Sequence, residues 1–123
     1  MSRQRMSTDY FQTSSGRYPV VDFMDDIDRG NAGAKDKCLT ALDMLADGSL
    51  PTGRMEKVHG SPTIWELRVK HKGEEYRLFV GRSRDNCVVC NAFHKKSQKI
   101  PRRIINQAVA NFNTCIGGTD NAT

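Results

Sequence analysis

The stretch Ile64-Trp65-Glu66-Leu67-Arg68-Val69-Lys70 alternates at every residue. Successive side chains of an extended strand point to opposite sides. Trp65, Leu67 and Val69 therefore share one face, and Ile64, Glu66, Arg68 and Lys70 the other. Lys72-Gly73 has the chemistry of a tight hairpin turn, since glycine adopts positive φ at no steric cost. The chain after it alternates again, with Tyr76, Leu78 and Val80 set against Glu75, Arg77 and Phe79. Arg84-Asp85-Asn86 is a second turn, and Cys87–Phe93 a third strand. Upstream, Arg54–Val58 reads as a short strand ending at His59-Gly60-Ser61-Pro62.

The flanks have a helical period. Pro19 stands at the start of a first helix, with Phe23, Met24 and Ile27 on its buried face and Asp22, Asp25, Asp26 and Asp28 in solvent; Gly30 or Gly33 ends it. A second helix is expected over Ala34–Ala46, with Cys38, Leu39, Leu42 and Leu45 as its apolar stripe and Asp47-Gly48 as its stop. Pro101 opens a last helix over Arg102–Phe112, striped by Ile105, Ala108, Val109 and Phe112. Residues 9–13 read as the end of a first strand. The fold class is α+β, a twisted antiparallel sheet with helices packed on one face and the other face open. Trp65 and Tyr76 turn to the helices and read as core. Residues 9–113 form one domain, residues 1–8 a disordered lead-in and residues 114–123 a disordered tail.

With 123 residues the chain is long enough for one core. No apolar run approaches the roughly 20 residues of a membrane span, and Met1-Ser2-Arg3-Gln4-Arg5 lacks the apolar stretch of a signal peptide, so a cytoplasmic location is expected. That compartment argues against a disulfide framework for Cys38, Cys87, Cys90 and Cys115. Cys87-Val88-Val89-Cys90 has zinc-like spacing, but residues three apart on a strand face opposite ways. A zinc or redox protein is the least favoured reading, and no cofactor is expected.

Net charge is +5 and unevenly placed. Residues 1–53 hold 6 Lys/Arg against 8 Asp/Glu, and residues 54–123 hold 13 against 6. The basic half is the strand-rich half. It suits a polyanionic partner, or else a solvated charged face.

Trp65-Glu66-Leu67-Arg68, Tyr76-Arg77 and Phe93-x-Lys95-Lys96-x-x-Lys99-x-Pro101 together resemble the RelE/HigB toxin superfamily, and in particular its phage-derived branch. The resemblance spans roughly residues 10–113. It implies a RelE-like fold and a ribosome-dependent mRNA endonuclease, the toxin of a type II toxin–antitoxin pair. It also implies mRNA and ribosomal RNA as partners, with an antitoxin that is often a small helix-turn-helix protein.

The chemistry implied is metal-independent. A 2′-OH attacks its own 3′-phosphate, which needs a base, cations for the phosphorane charge and an acid for the leaving oxygen. Arginine suits the middle role because its planar fork matches two phosphate oxygens. Arg77 is the first candidate and Arg68 the second; each is otherwise a surface ion pair with Glu66 or Glu75. Glu66 is a candidate general base, or else orients the arginines. His94 can act as acid or base near neutral pH, and Lys95 could replace it as proton donor. Many members of the superfamily carry a Tyr or His near the C-terminus, and none stands after His94 here. Lys95, Lys96, Lys99, Arg102 and Arg103 put five cations in nine residues at a helix start, where the dipole favours anions. Lys96, Lys99, Lys57, Lys70 and Arg102 are expected RNA contacts, with Phe79 as a stacking platform. His59 and His71 read as bystanders. The competing reading is a basic nucleic-acid-binding or regulatory protein of the same fold without cleavage activity.

Overall fold

The computed structural model describes residues 5–96 and 99–121, with side chains up to Ile116. Five strands form one mixed sheet in the order β1-β5-β4-β3-β2, with β1 Ser7–Tyr10, β2 Met55–Lys57, β3 Ile64–His71, β4 Glu74–Ser83 and β5 Asn86–Lys95. The three helices are α1 Pro19–Gly30, α2 Ala34–Asp47 and α3 Arg102–Asn121. The fold is α+β and consistent with a RelE-like fold.

The sheet is not wholly antiparallel as expected. β1 lies parallel to β5, pairing Ser7 with Asn86 and Tyr10 with Val89. An edge strand that starts before two intervening helices can return in either direction, and local sequence does not choose. Of the expected lead-in, residues 1–4 lie outside the described residues, while Ser7 and Thr8 belong to β1. α3 runs past Phe112 to Asn121; residues 122 and 123 of the expected tail lie outside the described residues.

The β3–β4 hairpin turns on Lys72 (φ 49°) and Gly73 (φ 82°), the two positive φ values of a type I′ turn. It fixes the register Leu67↔Leu78, Arg68↔Arg77 and Lys70↔Glu75. One face carries Leu67, Val69, Tyr76, Leu78, Val80, Cys87 and Val89, all buried under α1 and α2. α1 contributes Val20 and Met24, and α2 contributes Ala34, Cys38, Ala41, Leu42 and Leu45. Leu39, expected in the α2 stripe, is instead exposed, and Ala41 takes its place. Trp65 is half-buried, with the Lys57 ammonium 6.0 Å from its ring centre.

The opposite face is not left open. α3 packs across half of it, joining Ala108 and Phe112 to Ile64, Phe79, Val88 and Cys90 in a second core. Gly81 makes this docking possible. A Cβ built there would lie 2.2 Å from Cδ1 of Phe112, so only glycine lets the ring rest on the strand. Asn111, buried in the same contact, donates to the Cys90 carbonyl at 2.9 Å and accepts from Gln107 at 2.8 Å.

The β4–β5 ladder slips at Phe79/Val80. Phe79 pairs with Asn91 but Val80 pairs with Val89, leaving Cys90 as the extra residue of a β-bulge. Every β5 side chain beyond the bulge therefore faces the side opposite to the one plain alternation would give it.

Candidate nucleic-acid interface

α3 covers the rows of its face that carry Ile64, Gly81, Phe79 and Val88. The next row, Arg68–Arg77–Phe93, is partly covered, since Arg77 is 6% exposed and Phe93 packs against the second core; the row Lys70–Glu75–Lys95 lies beyond it. These rows, with Glu66 and Glu56 from the Phe79 row, hold the candidate site. Arg68 and Arg77 stand directly opposite each other on adjacent strands.

Glu66 lies between them. Its Oε1 is 3.7 Å from Nε of Arg68, and its Oε2 is 3.5 Å from Nε of Arg77. Both Nε atoms are buried and have no hydrogen-bond partner among the described residues. Glu66 thus neutralises the inner edges of both guanidiniums without well-aligned hydrogen bonds. The outer nitrogens pair elsewhere. Nη2 of Arg68 donates to Oε2 of Glu56 at 2.9 Å, and Nη2 of Arg77 donates to Oε1 of Glu75 at 3.1 Å. The result is one ladder across three strands, Glu56–Arg68–Glu66–Arg77–Glu75. The hydrogen bond from Arg77 holds the Glu75 carboxyl below its ordinary range, with the charges of Arg77, Lys70 and Lys95 acting the same way.

Arg77, Arg68, Glu66, Lys70 and Lys95 are therefore brought together. Lys95 reaches this face because of the bulge at Cys90. The same bulge takes His94 away. His94 pairs with Tyr76 on the α1/α2 face, its ring 4.8 Å from the tyrosine ring, and its Nε2 lies 2.6 Å from Oε1 of Glu74. There it lines a hollow of about 400 Å³ with Asp26, Asn31 and Glu74. The expected convergence of His94 with the arginines does not occur.

Phe79 is fully buried beneath α3. The expectation of a stacking platform is corrected, because α3 covers that end of the face. Phe93, half-buried in the Arg77 row, is the aromatic side chain that borders the charged rows. Lys57 lies with Trp65 on the α1/α2 face, away from the arginines. Lys96 and Lys99 are exposed on the connection to α3; Ser97 and Gln98 between them lie outside the described residues. Arg102 is exposed at the start of α3, its Nη1 3.4 Å from the His59 carbonyl and its guanidinium against Gly60.

Glu56 was not legible as part of the site. Its place depends on the pairing Glu56↔Glu66, which a three-residue strand flanked by loops does not reveal in sequence. Cys87 and Cys90 sit in different cores, and burial pushes their thiols up to about 11 and about 12. Neither is poised to act as a thiolate at neutral pH.

The fold and the site together define a small basic α+β domain in which two opposed arginines pair with three glutamates, beside a row that carries two lysines. The chain belongs to the family described as phage-derived protein Gp49-like (DUF891), whose model matches residues 25–113. That family is RelE-like and toxin-like. Comparison with curated proteins gives no match. Among the described residues no helix is long and apolar enough to cross a membrane.

Proposed function

We propose that this protein is the toxin of a type II toxin–antitoxin pair, of the HigB-like branch, and that it cleaves mRNA on the ribosome. The observation that carries this reading is the opposed pair Arg68 and Arg77, bridged by Glu66 beside the second core, with Arg68 the more exposed of the two. Two guanidiniums fixed side by side match the oxygens of one phosphate as its charge grows in the transition state. Membership of a toxin-like family supports the same reading.

On this reading Arg77 and Arg68 clamp the scissile phosphate. Glu66 keeps their planes fixed and is the carboxylate available to the 2′-OH. Lys95, which shares the face, takes the proton-donor role in place of His94. Lys70, Lys96, Lys99 and Arg102 follow the RNA or ribosomal RNA backbone. A cognate antitoxin, a small helix-turn-helix protein in this branch, covers the basic rows, and the toxin works in the cytoplasm.

The remoteness of His94 from the arginines favours one competing reading, a protein of the same fold that binds nucleic acid without cutting it. Mapping mRNA ends by primer extension after brief induction separates the two. The toxin reading expects translation-dependent cuts within codons for the wild type, none for Arg77→Ala, and sharply fewer for Arg77→Lys, which keeps charge but loses the fork. Intact mRNA and unimpaired growth with a folded wild-type protein would refute it in favour of the binder.

A further inference from the structure

The ladder presents two kinds of carboxylate. Glu66 is recessed, its side chain 17% exposed, and it meets the inner Nε edges of both arginines. Glu56 and Glu75 are 62% and 39% exposed and take the outer Nη2 atoms. The Arg77 side chain is itself 7% exposed and that of Arg68 37%, so a phosphate reaching Nη2 of Arg77 would have to take the place of the Glu75 carboxylate that holds it. A carboxylate and a phosphate present the same two-oxygen edge to a guanidinium, so they compete for it. Glu56 and Glu75 each have a flexible stem and can swing into solvent, whereas Glu66 is hemmed in between the arginines.

We propose that Glu75, with Glu56 beside it, is an intramolecular stand-in for RNA phosphate, which the RNA backbone must displace from Arg77 and Arg68 before it can bind. The inference rests on the proposed phosphate-binding role of the two arginines. The surroundings of Glu75 agree with it. Its carboxylate sits where Arg77, Lys70 and Lys95 together favour negative charge, which marks the position as an anion site. Both acids thus act as a brake on binding, and losing either strengthens it. A carboxylate that merely held the arginine in shape would have the opposite effect, since its loss would disorder Arg77 and weaken binding.

The test is fluorescence anisotropy with a short single-stranded 2′-O-methyl RNA, which cannot be cleaved, titrated over a range of salt concentrations. Wild type, Glu75→Gln, Glu56→Gln, Arg77→Ala and Asp36→Asn are compared, each first shown to be folded by its thermal transition. Asp36 lies in the first turn of α2 and takes part in none of the ladder's ion pairs, so its variant reports the effect of net charge. Glu75→Gln is expected to bind about two- to fivefold tighter than Asp36→Asn, the scale of one exposed ion pair. Glu56→Gln should move the same way. If Arg77→Ala weakens binding while Glu75→Gln binds no tighter than Asp36→Asn, the brake is overturned and the arginine site stands. If Arg77→Ala binds like the wild type, or the wild type shows no salt-dependent binding, the arginine site and the brake both fall.

Discussion

Gly81→Ala is the substitution whose cost can be worked most directly from the structure. The new Cβ would lie 2.2 Å from Cδ1, 2.5 Å from Cε1 and 2.6 Å from Cγ of Phe112. Ordinary contact begins near 3.4 Å, so the ring must retreat by 3.4 − 2.2 = 1.2 Å to restore it. It has little room to do so, being 2% exposed and wedged among Ile64, Phe79, Val88 and Ala108. Overpacking of this kind costs about 1–3 kcal/mol. Three clashing ring atoms on a helix anchored by Asn111 put this site toward the upper end. Replacing glycine in a strand returns about 0.5–1 kcal/mol of backbone entropy. A net loss of about 2 kcal/mol follows, or a melting point lower by about 6–12 °C for a domain of this size. The assay is urea unfolding of Gly81→Ala, Phe112→Leu and the double variant. Removing the ring removes the clash, so the double variant should be more stable than the sum of the singles by about 1–3 kcal/mol. A Gly81→Ala cost below about 0.5 kcal/mol, or simple additivity, would refute the idea that α3 is seated on the bare backbone of β4.

Two further outcomes follow from the titrating groups. Arg77 lowers the pKa of Glu75 in the folded state, so the stability it lends is complete above the ordinary glutamate range and is lost as pH falls through the lowered value. Urea midpoints measured from neutral to acid pH should therefore decline less steeply for Glu75→Gln than for wild type in the acid limb; equal slopes would show that the pair contributes nothing measurable. Burial pushes Cys38 and Cys90 up to about 12 and Cys87 to about 11. A thiol reagent at neutral pH should leave these three unmodified in the native protein and label all four cysteines in denaturant, and rapid native labelling of Cys87 or Cys90 would contradict their burial.

Much of this protein was legible from its residues. The alternation in Ile64–Lys70 and Glu75–Val80, joined by Lys72-Gly73, determines a hairpin, its register and which side chains share a face. Arg68, Arg77, Glu66, Lys70 and Glu75 land together for that reason alone, since side-chain period and turn type are local properties. The apolar periods around Met24, Leu42 and Phe112 likewise determine three helices.

Other features depended on contacts between distant segments. Tertiary packing made Gly81 a seat for Phe112, which drew α3 across half of the expected open face and buried Phe79. The pairing of β2 brought Glu56 to Arg68. Above all, one extra residue at Cys90 reversed the outer part of β5, giving Lys95 to the arginines and His94 to Tyr76. A bulge is a mismatch between two strands, so neither strand's own sequence contains it. It exists only once β4 and β5 are paired and α3 holds Cys90 and Asn91 to the same side, through Asn111 on the Cys90 carbonyl and Asn91 on that of Ile104.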